Sequence, residues 1–186
     1  MQPSNSFVLC IYCVGNWLGL APLIGVILDL FNLFDLNTES DAAAALTLAS
    51  EDTVNIYGLP KLAIIWASAV SGVAPELMGI GPVTAAKLAC SRAGLSVADM
   101  SCIESNEAFA AQACAVSNKL GFAAEITNPN GGAIALGHPV GASGAIILIK
   151  LMYELRHTGG RYGLATMCIG GGQGIAVIIE NPEAKV

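Results

Sequence analysis

From Asn37 onward, apolar runs of strand length alternate with longer runs that stop at glycine, and few architectures accept that alternation. Lys61–Val70 (KLAIIWASAV) reads as a buried strand. Pro82–Ala93 carries proline at a first-turn position and Gly94 just past its end, the start-and-stop asymmetry of a helix. Ser101–Glu104 is a short strand candidate, and Ala108–Leu120 a helix stopped at Gly121. Ser143–Arg156 makes a long apolar helix closed by Gly159 and Gly160. Tyr162–Met167 and Gly174–Ile179 read as two strands joined by a glycine-rich turn. This order predicts an α/β domain, layered as α/β/α. Asp41–Ser50 (DAAAALTLAS) stays open between a helix, on alanine propensity, and a core strand, on length and position.

The first 37 residues differ from the rest. Phe7 to Phe34 is an almost unbroken apolar run, long enough to span a bilayer, which takes about 20 apolar residues. It lacks a basic n-region and flanking Lys or Arg, and Pro22 and Gly25 interrupt it. A membrane span is therefore not expected; a poorly ordered or buried segment is. Residues 1–37 are left unassigned and 38–186 are taken as the domain.

Composition narrows the function. The chain is 54% hydrophobic and 12% charged, about half the usual charged fraction, so a partner subunit, a missing domain or a membrane is expected to cover part of the surface. A net charge of −6 with no basic stripe argues against nucleic acid. Cys10, Cys13, Cys90, Cys102, Cys114 and Cys168 form no compact disulfide framework, which favours reduced thiols inside the cell. Cys10-x-x-Cys13 has no second pair at ligand spacing, so no metal site is expected.

Three loops each hold a reactive or polar side chain among small residues. They are Asn106–Ala110 (NEAFA), Asn130–Gly144 (NGGAIALGHPVGASG) and Cys168–Gly174 (CIGGGQG). His138, just before a helix start, can accept a proton near neutral pH. Cys168 opens a glycine run whose N–H groups can stabilise a thiolate or an oxyanion. Asn106 offers a donor and acceptors for a water or a carbonyl oxygen. Taken singly, each has a plain structural reading: a buried cysteine is usually an inert small hydrophobe, a lone histidine a structural hydrogen-bonder, a glycine cluster a turn. His157 reads as a surface residue favoured by the helix dipole. Gly79-x-Gly81 lacks a preceding strand and a third glycine, which rules out a dinucleotide loop.

In that order and spacing, the three strings resemble the C-terminal catalytic loops of the thiolase family. The flanks PELMGIGPVTAAKLA and YGLATMCIGGGQGIAVIIE resemble it too, and the likeness covers roughly Asp41 to Glu180. The resemblance implies an α/β/α C-terminal domain with a mixed central sheet, one of two similar halves in a dimeric or tetrameric enzyme. Such enzymes make or break a carbon–carbon bond between acyl-CoA units, with no bound cofactor and a coenzyme A thioester as substrate. An N-terminal cysteine is acylated. Here the resemblance implies that His138 activates that nucleophile and helps hold the thioester oxygen. Cys168 would be the acid/base at the α-carbon, and Asn106 would fix the water that shares an oxyanion hole with His138. The Gly170 N–H would line the other oxyanion hole, while Ala108 and Phe109 border the pantetheine channel.

The departures set the alternatives. The family's acylated cysteine sits well over a hundred residues before NEAFA, and neither Cys10 nor Cys13 has its context. Asp41-Ala42 stands where the family usually has Asp-Gly, and Gly72-Val73-Ala74-Pro75 where it commonly has Gly-Val-Asp-Pro. The expectation is a thiolase C-terminal half, cytoplasmic or mitochondrial, inactive alone and partnered by its own kind or by a complementing N-terminal half. A non-catalytic remnant that binds acyl-CoA or a thiolase partner, and a membrane-tethered interaction protein, are the competing readings.

Overall fold

The computed structural model describes residues 7–10 and 40–184. Its strands are β1 (Phe7–Cys10), β2 (Thr47–Ser50), β3 (Ala63–Gly72), β4 (Cys102–Ser105), β5 (Tyr162–Ile169) and β6 (Gln173–Glu180). They form one sheet in the order β2-β1-β3-β6-β5-β4. Every neighbouring pair is antiparallel except β4 with β5, so the sheet is mixed as expected. The helices are α1 (Glu51–Tyr57), α2 (Gly81–Ala93), α3 (Ala110–Leu120), α4 (Ala133–Leu136) and α5 (Val140–Thr158).

At β5 and β6 the sheet is packed on both faces. Consecutive strand residues enter opposite cores: Leu164 and Ile178 pack with Ala85, Ala86, Ala89 and Val116 of α2 and α3. Their neighbours Ala165 and Ile179 pack with Ile147, Leu151 and Leu155 of α5. Side chains alternate across a strand, so a strand with helices on both faces is apolar throughout. The α/β/α layering follows from that arrangement.

Element ends follow local chemistry. Gly94, Gly121 and Gly159 close α2, α3 and α5 in the left-handed region. The ambiguous 41–50 segment resolves into strand for Thr47–Ser50 alone. Ser50 then caps α1, its Oγ accepting the Thr53 N–H at 3.3 Å. α3 opens at Ala110 rather than Ala108, because Phe109 is extended at φ −144°, ψ 140°. α5 opens three residues earlier than expected, at Val140, where the N–H groups of Ala142 and Ser143 close onto the Pro139 carbonyl. Within the apolar N-terminal run, Phe7–Cys10 pairs with both β2 and β3; its remaining residues, Cys13 among them, lie outside the described residues. Among the described residues, no helix is long and apolar enough to cross a membrane.

The start of α2 and the start of β6 approach each other closely through their backbones. A Cβ on Gly174 would lie 2.1 Å from the Gly81 carbonyl carbon, and one on Gly81 would lie 2.4 Å from the Gln173 oxygen. The obstructing atoms are backbone, so no side chain can swing away. Overpacking typically costs about 1–3 kcal/mol. Gly174→Ala is expected to lose at least the upper figure in urea unfolding. Gly170→Ala, whose Cβ meets nothing within 4 Å, should stay within about 0.5 kcal/mol of the parent.

Candidate active site

The site assembles at one edge of the sheet. Ser105 of β4 stands opposite Thr166 of β5 in parallel register, and the Asn106 N–H continues the ladder to the Thr166 carbonyl at 2.9 Å. Asn106 is 3% exposed. β5 runs past Thr166 to Cys168, which is buried opposite Gly174 of β6. Asn106 and Cys168 therefore stand at the same edge, beyond the C-terminal ends of the parallel pair, where ligands bind in open α/β sheets.

The loop before α5 brings His138 to this edge. Asn106 Nδ2 donates to His138 Nε2 at 3.2 Å. On the other side of the ring, His138 Nδ1 lies 2.6 Å from Ser143 Oγ. Ser143 gives its one hydroxyl proton to the Pro139 carbonyl at 2.9 Å, so toward the imidazole its oxygen is an acceptor. Among the described residues, this order of donors places the proton on Nδ1 and makes Nε2 the acceptor. That is the ring state a proton acceptor needs.

A carboxylate braces the loop. Glu107 Oε1 accepts from Asn128 Nδ2 at 3.1 Å, and Oε2 accepts from the Ile134 N–H at 3.0 Å. Gly132 leaves room for it: a Cβ there would lie 2.2 Å from the Glu107 Cδ. Asn128 also pairs with both backbone groups of Ser105, at 2.9 Å each, and so ties the loop to the end of β4. Beneath the pair, Lys150 Nζ donates to Glu104 Oε2 at 2.8 Å and to the Gly131 carbonyl. A cavity of about 30 Å³ lies there, lined by Glu104, Ser105, Asn106, Ser143 and Lys150 among others.

The structure joins Asn106 to His138 by a hydrogen bond; Cys168 lies two residues past Thr166 on the neighbouring strand, toward the same end of the sheet. Gly170 is exposed in the β5–β6 turn. Ala108 is half-buried and Phe109 is 60% exposed. Ile134, Leu136 and Val140, in the stretch that carries His138, are also exposed. Burial pushes the Cys168 thiol up, partly offset by its own backbone hydrogen bond, so the neutral thiol is the resting form. Burial also raises Glu104, against the pull of Lys150. Cys90, Cys102, Cys114 and Cys168 are free thiols. Among the described residues, no group of His, Cys, Asp and Glu side chains could hold a metal ion.

Ser143, Glu107, Asn128, Glu104 and Lys150 went unassigned in the sequence. Lys150 had a signal, as the one cation inside the apolar run IILIKLM. Asn128 had none, since its role depends on a segment that meets β4 only in the folded chain.

Residues 59–181 match the family model described as thiolase, C-terminal domain. The chain is 54% identical over 142 residues to the beta-ketothiolase BktB of Cupriavidus necator, covering 76% of this chain and 36% of that protein. It is 51% identical over 143 residues to an acetyl-CoA acetyltransferase of Chromobacterium violaceum, covering 77% of this chain and 36% of the relative. The crystal structure of human mitochondrial 3-ketoacyl-CoA thiolase superposes with a TM-score of 0.74 at 52% identity, over 75% of this chain and 36% of that one. A second structure of the human enzyme is a complex with CoA. The protein belongs to the thiolase family, through its C-terminal domain, and spans 36% of the length of these curated relatives.

Two outcomes are expected from this geometry. Glu107→Gln replaces one accepting oxygen by a donor that faces another donor. The Ile134 amide should then exchange faster, and urea stability should fall by about 1–2 kcal/mol. For Cys168, a raised pKa means less thiolate at a given pH, so iodoacetamide should modify it more slowly than a free cysteine peptide. Its rate, followed by mass spectrometry, should keep rising past the pH where the peptide's has levelled. By linkage, the stability tied to this thiol is fully present below its unfolded pKa and is lost as pH rises through the folded one.

Proposed function

We propose that residues 38–186 are the acid/base and oxyanion half of a thiolase-type acyltransferase acting on 3-ketoacyl-CoA. The observation that carries this reading is the Asn106–His138 hydrogen bond, at the sheet edge where β5 delivers Cys168. His138 Nε2 takes the proton of an acyl-accepting cysteine and, once protonated, donates to the thioester oxygen. Asn106 holds a water that completes that oxyanion hole. Cys168 exchanges a proton with the substrate α-carbon; its raised thiol pKa suits the step that returns the proton. The Gly170 N–H faces the second oxyanion, and Ala108 with the exposed Phe109 borders the pantetheine arm. This division makes physical sense, because an enolate beside a thioester needs a matched base and donors where charge appears.

The acyl-carrying cysteine belongs, in this reading, to an N-terminal half outside the matched residues. The exposed Phe109, Ile134, Leu136 and Val140 then meet that half or a second copy of the chain, inside a cytoplasmic or mitochondrial compartment. Without the nucleophile the covalent route is closed, so these 186 residues alone should not thiolyse acetoacetyl-CoA at an enzymatic rate. Adding a thiolase N-terminal half should restore loss of the enolate absorbance. In the restored complex His138→Ala or Cys168→Ala should each lower kcat by about 10²–10⁴-fold. A restored rate untouched by both substitutions would overturn the site assignment. Binding of CoA without restored turnover would instead favour a non-catalytic acyl-CoA-binding role.

A further inference from the structure

The mechanism above uses Asn106 and His138 as a pair, yet they come from segments far apart in the chain. Asn106 follows β4, and His138 ends the glycine-rich loop before α5. A single 3.2 Å side-chain bond joins the two loops at this point.

Lys150 spans the gap from below. Its ammonium donates to Glu104 Oε2 at 2.8 Å, two residues before Asn106, and to the Gly131 carbonyl, seven residues before His138. It projects from α5, the helix that carries Ser143, the acceptor for His138 Nδ1. One cation therefore links the strand behind Asn106, the loop behind His138 and the helix that orients the ring. Glu104 is 1% exposed and the Lys150 side chain 18%.

A buried ion pair is a poor device for stability alone, because desolvation consumes most of the Coulombic gain. Here the pair is also incompletely satisfied. Among the described residues, Glu104 Oε1 and Ser105 Oγ are buried without a hydrogen-bond partner, and both residues line the cavity of about 30 Å³ beside Asn106, large enough for one water. An apolar pair would fill this space at less cost, but it could not reach a carbonyl in the loop.

We propose that Lys150 is a positioning residue, tying the Glu104 end of β4 to the Gly131 carbonyl and so setting the Asn106–His138 geometry and the Nδ1–H tautomer of the ring. This rests on the reading of Asn106 and His138 as the working pair. Its test needs neither turnover nor coenzyme A, so its failure is separate from a failure of that reading.

The test is ring-nitrogen NMR of histidine-labelled full chain, above the ordinary histidine titration range, together with amide exchange over 131–138. In the parent, His138 should show one neutral tautomer, protonated at Nδ1. Lys150→Met should give averaged ring shifts between the two tautomers. Exchange of the 131–138 amides should quicken about tenfold or more, the loss expected for a charge-assisted hydrogen bond. Lys150→Arg, which keeps a cation able to reach both acceptors, should restore part of both signatures. Lys150→Met alone leaves a buried carboxylate uncompensated and risks the fold, so Glu104→Gln/Lys150→Met removes both charges and should show the same ring averaging. If either folded variant keeps the single Nδ1–H tautomer and the parent exchange rates, Lys150 is structural only and the proposal is wrong.

Discussion

Because β4 and β5 run parallel, with Ser105 opposite Thr166, both strands deliver their C-terminal ends to one edge of the sheet. A parallel pair needs a crossover, and α3, α4 and α5 supply it between the two strands. The loop entering α5 is thereby returned to the edge where β4 ends. The β5–β6 hairpin turns at that edge as well, with Ile169 opposite Gln173. NEAFA, the histidine loop and CIGGGQG thus share one rim as a consequence of strand direction. Had β4 paired antiparallel, Asn106 and Cys168 would stand at opposite ends of the sheet.

Close packing backs that edge. The three fully buried alanines of α2 let the helix lie near the sheet, and Gly81 with Gly174 brings its first turn against the backbone of β6. On the other face Leu151, Met152 and Leu155 seat α5. Above these apolar layers the polar groups are few and mostly shared. Asn128 serves Ser105 and Glu107, Lys150 serves Glu104 and Gly131, and Ser143 serves His138 and Pro139. Buried polar groups that share partners favour one arrangement over its neighbours, since each broken bond strands a desolvated atom. The three loops consequently sit on a braced floor, with Phe109, Ile134, Leu136 and Val140 exposed nearby in sequence.

That contrast fits a protein matched over 36% of the length of its relatives. Phe109 and Ile134, 60% and 64% exposed, leave apolar surface next in sequence to that floor. The low charge content read from the sequence has its physical expression here, beside the site as well as elsewhere.

The sequence by itself determined the membership and most elements from Ala63 onward, but neither β1 nor α1. Helix α2 begins one residue from its expected start and ends where expected, because proline and glycine act locally on φ and hydrogen bonding. The three loop strings were legible for the same reason: glycine and small residues mark where backbone must turn. What the sequence left open was settled by contacts between distant segments. Thr47–Ser50 became strand because β1 pairs with it, against the helical propensity of the alanines before it. Asn106 and His138 had candidate roles from their types, but the donor order through Ser143 to Pro139, which sets the ring's tautomer, exists only in three dimensions. Lys150 was visible as an isolated cation, yet its two partners come from β4 and from the loop before α5. Backbone preference is local and can be read along the chain; a hydrogen bond between remote segments depends on the register that packing imposes, and only the fold decides it.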